Sequence, residues 1–408
     1  MANILARAIT IVFHFLTANY FRQIPDSTSE IRTMKHIVIL GGSYAGVSTA
    51  HRILKHAAKT GPFKITLVSP NTHFYWNVAS PRALIPGQLS DSEMFRSIAA
   101  GFARYFASQF EFVSGMAETL NVDAKTVGIS SGHGEKVMLK YDYLILATGS
   151  NAKGGVPFKN LASTELTKDT LHEFQERIEK AETIVVGGAG ATGVEFSGEL
   201  AFEYGNRKEI VLISSTPAIL PAAPSSVQKT AMKGLQNLKV NIKLSQKVLG
   251  STPLPNNQTE VSLSTGEKLI ADLYIPTVGL VPNSSYVPAK HLNAEGFVVV
   301  DEHFGVKGAQ DVYAIGDVCN VEPLQFIYTD RQSTFLAKNF ALILGGKPPL
   351  AYKLFFMRIV GVCVGRQFST GSWGRVRMPN FVSLMIRKNL FLPSFEGTLN
   401  GTIGDSLV

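Results

Sequence analysis

Thr183–Glu195 reads TIVVGGAGATGVE, and few folds can use such a stretch. An apolar, β-branched run gives way to G-x-G-x-x-G spacing at Gly188, Gly190 and Gly193, and the helix-compatible residues Val194–Tyr204 follow. The first glycine permits a tight turn, the second lets backbone approach a pyrophosphate, and the third lets helix and strand pack closely. Phosphates would rest on the free N–H groups at the helix N-terminus. Without a ligand this would be a plain glycine-rich turn, but a preceding strand and a following helix are the context the motif requires.

A weaker copy lies earlier. His36–Gly46 reads HIVILGGSYAG, with Gly41 and Gly46 in the outer positions and Ser43 in the middle one. The Ser43 Cβ would push a pyrophosphate slightly outward, although its hydroxyl can donate. Val312–Val318 (VYAIGDV) then predicts a strand that delivers Asp317 to the ribityl–phosphate side of a bound flavin. The plain alternative for Asp317 is a helix N-cap. The two halves look like a distant duplication: strand, glycine turn, helix, strand, meander, then Thr148-Gly149 or Thr277-Val278-Gly279.

The pattern predicts an α/β fold of two Rossmann-like nucleotide-binding units, the NAD(P)-binding one inserted in the FAD-binding one, plus a C-terminal segment. The expected divisions are 1–33 (an apolar segment and linker), 34–150 (first part of the FAD unit), 151–270 (the NAD(P)H unit), 271–345 (second part of the FAD unit) and 346–408. Expected elements include a helix ending near His56, strands at Tyr143–Leu146, Glu209–Ile213 and Phe297–Val300, and a helix over Asp330–Leu344.

Charge placement separates the ends from the middle. Residues 341–408 carry a net charge of +6 and residues 1–25 a net of +2, which leaves the middle neutral in a chain of net charge +8. A basic excess could serve nucleic acid. Alternation of the basic residues with large apolar ones favours peripheral contact with an anionic membrane, and hence a membrane-associated, intracellular location. Ala8–Phe21 (AITIVFHFLTANYF) is too short to span a bilayer and reads as an anchor helix, a targeting segment or a packed helix. Within Met378–Phe395, apolar residues with Arg387 and Lys388 predict a short amphipathic helix that Pro393 ends.

GGSYAG, YDYLILATGS, GGAGATGVEFSGEL, PTVGLVPN and VYAIGDV occur in the order found in two-dinucleotide-binding flavoproteins. Over residues 35–345 the chain resembles the apoptosis-inducing-factor-like group of that family. This includes the AMID-like mitochondrial oxidoreductases and ferroptosis-suppressor-type quinone reductases; HFYWNVASPRALIPG strengthens the AMID-like match. The resemblance implies FAD on the first unit, held by Gly41, Gly42, Ser43, Ala45 and Gly46. It places Arg82 near FAD and Asp317 on its ribityl or phosphate region. It implies NADH or NADPH as co-substrate at Gly188, Gly190, Gly193 and Glu195, with Glu195 near the nicotinamide. Plain readings compete: Arg82 as a solvated loop charge, Glu195 as a first-turn helix carboxylate. Gln332 sits where relatives point a helix at the flavin carbonyl edge, or is an exposed helix amide.

There are departures. An acid for the ribose is missing after both units, whose strands end in Val68-Ser69 and Ile213-Ser214-Ser215, so neither NADH nor NADPH is favoured. Asn71–Leu89 lacks the cysteine pair that disulfide reductases of this fold carry beside the flavin, and no metal motif is present. Cys319, which follows Asp317, has no partner in sequence and reads as structural. The expected activity is an FAD-dependent oxidoreductase that passes hydride from NAD(P)H through flavin to a quinone or other lipophilic acceptor. The alternatives are a tailoring oxidoreductase of a lipophilic natural product and a non-enzymatic redox-sensing or death-signalling flavoprotein.

Overall fold

The computed structural model describes residues 33–131 and 134–406. The chain starts with β1 (Lys35–Leu40), α1 (Tyr44–His56), β2 (Phe63–Ser69), β3 (Phe110–Asn121), β4 (Thr126–Ser131), β5 (Lys136–Lys140) and β6 (Tyr143–Leu146). It continues with α2 (Thr164–Lys180), β7 (Thr183–Gly187), α3 (Ala191–Tyr204), β8 (Glu209–Ile213), α4 (Ser225–Asn237) and β9 (Asn241–Lys243). An antiparallel sheet, β10 (Val248–Pro253), β11 (Thr259–Leu263) and β12 (Lys268–Ala271), precedes β13 (Leu273–Pro276). Then come β14 (Val312–Ala314), α5 (Phe326–Leu344), β15 (Ile359–Cys363), β16 (Ser369–Trp373), β17 (Val376–Arg377), α6 (Asn380–Arg387) and α7 (Pro393–Leu399).

Two sheets set the frame, one mixed and one parallel. The first has the order β14-β6-β1-β2-β3-β4-β5, and the last two pairings are antiparallel. The second has the order β9-β8-β7-β13 and is parallel throughout. Strands buried on both faces need apolar residues at every position. In β1, Ile37 and Ile39 pack into the core beneath α1 and α5, while Val38 and Leu40 face the meander strands and β14. The two crossings between the sheets also pair with each other, Ser150–Ala152 lying antiparallel to Leu280–Pro282.

The helix over 44–56 and the strands 143–146 and 209–213 lie where the sequence predicts them. The predicted strand 297–300 is reduced to isolated bridges, Leu292 with Val298 and Val300 with Val306. The chain turns back at once: Asp301 Oδ1 accepts the N–H groups of His303 and Gly305, and Phe304 takes a φ of +63°.

The C-terminal segment differs most from expectation. It forms a three-stranded sheet, β15-β16-β17, and two short helices. The amphipathic helix ends at Arg387 instead of reaching Leu392, because Leu390 and Phe391 adopt left-handed backbone. Pro393 opens α7 at its first turn, where a missing N–H costs nothing, and so begins a helix instead of ending one. Ala8–Phe21 lies outside the described residues.

Candidate functional site

The two glycine turns share one geometry. Gly41 (φ +122°) and Gly188 (φ +113°) adopt backbone that a side chain disfavours. A Cβ on Gly46 would stand 1.8 Å from the Gly41 carbonyl oxygen, and one on Gly193 would stand 1.9 Å from that of Gly188. Each helix is therefore seated on its own turn. Gly190 is different: its φ is −72°, and a Cβ there would meet nothing within 4 Å. The protein itself has room for a side chain at Gly190, so the bare turn leaves open space for a group that approaches it.

Both helix N-termini suit a phosphate. Neither α1 nor α3 has an acid in its first turn, and the N-caps Ser43 and Gly190 make no side-chain cap hydrogen bond. Gly42 is closed in, since a Cβ there would lie 2.6 Å from Ser69 Oγ at the end of β2. Ala45 faces the other way: a Cβ on Gly316 would lie 3.1 Å from the Ala45 Cβ. The fold thus brings Gly316-Asp317 against the first glycine turn, although some 270 residues separate them in sequence.

Asp317 sits inside the 3₁₀ turn Gly316–Val318, whose N-cap is Ile315, so it is not the cap. Its Oδ2 accepts hydrogen bonds from Lys159 Nζ at 2.8 Å and Ser150 Oγ at 2.9 Å. Burial works to raise the Asp317 pKa, but the Lys159 charge and these two donors outweigh it and hold the carboxyl below its usual range. The sequence reading missed both partners. Ser150 directly follows the Thr148-Gly149 turn and could have been suspected. Lys159 lies in an irregular stretch with no periodic signal.

Gln332 is 2% exposed, which overturns the exposed-amide alternative. Its Oε1 accepts the Gly316 N–H at 2.9 Å, and its Nε2 donates to Glu322 at 3.2 Å. It holds the backbone of the Gly316-Asp317 turn. Arg82 is not a solvated charge either. From the helical turn Ser80–Ala83 its Nε and Nη2 donate to Glu199 Oε1 at 2.9 and 2.7 Å, and its Nη1 donates to the Lys388 carbonyl. Arg82 therefore ties the aromatic stretch 71–89 to α3. Glu195, also on α3, is buried and meets the C-terminal segment, accepting from the Cys363 N–H and from Arg387.

Aromatic rings join these parts. Tyr44, inside the first glycine turn, packs against Phe326 at the start of α5, 4.4 Å between centroids. Phe326 stacks on Phe391 of the C-terminal segment and meets Trp76 edge-on. The Tyr44 hydroxyl donates to Asp330 at 2.6 Å. The first glycine turn, the aromatic stretch, α5 and the C-terminal segment thus converge on one place.

Both cysteines are buried and unpaired, and burial pushes each thiol up to about 12. Protonated, enclosed thiols do not relay electrons. Among the described residues no group of histidine, cysteine, aspartate and glutamate could hold a metal.

The model of the pyridine nucleotide-disulphide oxidoreductase family matches residues 35–335. The chain belongs to this family. It is an FAD- and NAD(P)H-dependent oxidoreductase on a two-dinucleotide-binding fold. It is 48% identical to oxidoreductase ptaL of Pestalotiopsis fici over 91% of this chain and 100% of that protein. It is 34% identical to oxidoreductase phnG of Penicillium herquei over 91% of this chain and 98% of that protein. In structure it resembles the sulfide:quinone oxidoreductase of Aquifex aeolicus, with a TM-score of 0.72 at 18% identity over 90% of this chain and 92% of the other. Within the family this member lacks a cysteine pair of its own, since it has two cysteines and both are sealed in.

Proposed function

We propose that the enzyme passes the electrons of NAD(P)H through FAD to a lipophilic acceptor of the quinone type, at a membrane surface. Bound FAD supplies the ring that takes up the hydride and gives up the electrons. In this reading Gly41–Gly46 and the N-terminus of α1 hold the FAD pyrophosphate, and Asp317, fixed by Lys159 and Ser150, accepts from the ribityl chain. Gln332 steadies that turn. Gly188–Gly193 and the N-terminus of α3 hold the nicotinamide dinucleotide.

The observation that carries the acceptor class is the double face of the C-terminal segment. Its inner side meets α3 through Glu195 and meets the aromatic cluster through Phe391, while Phe381 and Met385 on α6 stand about two-thirds exposed. With no internal thiol relay, electrons have to leave for an external molecule, and the segment offers an apolar approach beside the redox units. Among the described residues no helix is long and apolar enough to cross a membrane; α6, short and apolar on its outer face, suits an interface. The quinone in the name of the Aquifex protein is a statement about that protein; here the class rests on the surface. Ser214 and Ser215 carry neither an acid against a 2′-phosphate nor a base for one, so both nucleotides enter the test.

Stopped-flow reduction of the holoenzyme by NADH and by NADPH, followed by reoxidation with short-chain quinones, water-soluble dyes and a panel of lipophilic non-quinone carbonyl compounds, tests this reading. Fast reoxidation by quinones supports it. Reoxidation by one non-quinone lipophilic compound alone would replace it with a tailoring activity on a lipophilic small molecule. Slow turnover with every acceptor would remove it.

A further inference from the structure

Residues 341–395 contain eight basic residues and no acid. Arg366 and Arg387 are turned inward, onto Glu199, Glu203 and Glu195. The other six, Lys347, Lys353, Arg358, Arg375, Arg377 and Lys388, are exposed. Between α5 and β15 the chain forms no helix or strand, and there the cations stand among large apolar side chains. Leu350, Leu354 and Phe356 are 62%, 61% and 87% exposed. The Gly374 N–H donates to the Arg358 carbonyl at 2.7 Å, so the turn into β17, with Val376 exposed, borders this stretch and leads on to α6.

The inner side of the same stretch is fastened to one buried carboxylate. Glu322 Oε2 accepts from the Tyr352 hydroxyl at 2.7 Å and from Gln332 Nε2 at 3.2 Å, and its Oε1 accepts from the Phe355 N–H at 3.2 Å. Arg331 Nη1 stands 3.6 Å from Oε1, and its guanidinium lies over the Phe355 ring, 4.4 Å from the centroid. Gln332 in turn holds the Gly316 N–H. Two side chains, Glu322 and Gln332, thus link this stretch to the turn that presents Asp317. At its start the Leu350 backbone is held at both N–H and C=O by the Asn339 amide, 3.0 and 2.9 Å away. Tyr352 is buried and the Phe355 N–H faces inward, while Lys353, Leu354 and Phe356 stand outside. One short piece of chain therefore has a fastened face and an apolar, cationic face.

We propose that residues 350–358 are a docking edge for an anionic lipid surface, and that Glu322 is the positioning residue through which docking steadies the FAD turn. The proposal rests on the reading that the enzyme works at a membrane surface. The pattern fits lipid: phosphate headgroups meet the cations, and the apolar interior takes Leu354 and Phe356. A nucleic-acid duplex offers the phosphates without that interior. Chain that lacks ladder hydrogen bonds opens locally at low free-energy cost. When residues 350–358 open, Glu322 loses the Tyr352 and Phe355 donors, and its hold on Gln332 slackens. Leu354 and Phe356 already stand outside in the fastened arrangement, so lipid binds that arrangement and opposes the opening. Such coupling is reciprocal: lipid slows the release of FAD, and bound FAD strengthens attachment to lipid.

The test follows FAD release from the holoenzyme by the rise in flavin fluorescence, at a temperature where wild type releases FAD measurably. It is run with and without vesicles of phosphatidylserine and phosphatidylcholine, and co-sedimentation measures attachment. Vesicles should slow release about fivefold or more, the low end of coupling between two sites. Leu354→Ser/Phe356→Ser should attach more weakly and lose this effect, while its melting temperature and its lipid-free FAD release match wild type. Glu322→Gln should still sediment with vesicles, yet its FAD release should no longer respond to them. Tyr352→Phe removes one donor to Glu322, keeps the ring packing and should show a weakened response, which decides the matter even if Glu322→Gln fails to fold. If vesicles slow release equally in wild type and in these two variants, Glu322 is not the link and the proposal fails. If Leu354→Ser/Phe356→Ser attaches as wild type does while Phe381→Ser/Met385→Ser does not, the membrane reading stands and this docking edge falls. If wild type does not sediment at all, both fall. If a DNA duplex slows release and vesicles do not, the partner is nucleic acid and the lipid proposal is overturned.

Discussion

Gln332 Oε1 lies 2.9 Å from the Gly316 nitrogen and accepts its N–H. One buried amide thereby fixes the turn that presents Asp317. Gln332→Leu keeps the volume but leaves the Gly316 N–H without its acceptor and takes a donor from Glu322. An orphaned buried polar group costs about 1–3 kcal/mol. The variant should melt at a lower temperature and lose FAD more readily on gel filtration. Equal melting and equal FAD absorbance would show that Gln332 merely fills space.

Asp317 makes a prediction with a sign. Its folded pKa is lowered, because the Lys159 charge and two hydrogen bonds outweigh the upward push of burial. A lowered carboxyl stabilises the fold fully above its unfolded pKa of about 4, and the contribution fades as pH falls through the folded value. Asp317→Asn should therefore be less stable than wild type at pH 7, with the gap narrowing in strong acid. Thermal melts of the FAD-free proteins at pH 7 and pH 3 check this. A gap that is constant with pH would mean that Lys159 contributes no charge interaction.

The sequence made the frame legible because two kinds of signal coincide there. Continuous apolar runs such as His36–Leu40 and Glu209–Ile213 have one plausible use, a strand buried on both faces, and each is punctuated by a turn or loop. The site was legible in its backbone parts, Gly41–Gly46 and Gly188–Gly193, since positive φ or close backbone approach dictates glycine at Gly41, Gly46, Gly188 and Gly193. Side-chain partners were not. Lys159, Ser150 and Arg366 reach Asp317 and Glu199 across long sequence separations, and a lysine or arginine in an irregular stretch looks the same whether it is solvated or buried in an ion pair. The C-terminal fold was hidden for another reason: its strands are only two to five residues long, and the middle one, with Ser369, Gly371 and Ser372, shows no apolar pattern.

Two glycines in one turn should respond differently. Gly193→Val cannot be accommodated, because its Cβ would stand 1.9 Å from a backbone oxygen, and the variant should fail to fold or melt far lower. Gly190→Val has open space and an ordinary φ, so it should fold and keep FAD. It should nevertheless lose reduction by NADH and NADPH, because the branched side chain occupies the approach of the pyrophosphate. Stopped-flow flavin reduction, beside melting curves and FAD content, separates these outcomes. A Gly190→Val protein that is reduced normally would remove the second turn from the dinucleotide site.

The last prediction concerns the outer face of the C-terminal segment. Phe381 and Met385 are one turn apart on α6 and are 68% and 70% exposed, with Ile386 beside them. Ser383 points inward, its hydroxyl 2.7 Å from that of Ser369, which fixes the helix orientation and leaves the apolar pair outside. The charges divide in the same way. Arg387 is turned inward onto Glu195, whereas Arg375 and Lys388 are exposed. An apolar pair flanked by exposed cations suits an anionic lipid interface: shallow insertion buries the rings, and phosphate headgroups meet the cations. The holoenzyme should co-sediment with phosphatidylserine-containing vesicles at low salt and less so at high salt, where the attraction is screened. Phe381→Ser/Met385→Ser should reduce binding at both salt concentrations without changing the melting temperature, because neither side chain is in the core. Vesicles of phosphatidylcholine alone isolate the apolar contribution. If the holoenzyme stays in the supernatant with anionic vesicles at low salt, the interface reading is wrong, and the acceptor must then reach the flavin from water.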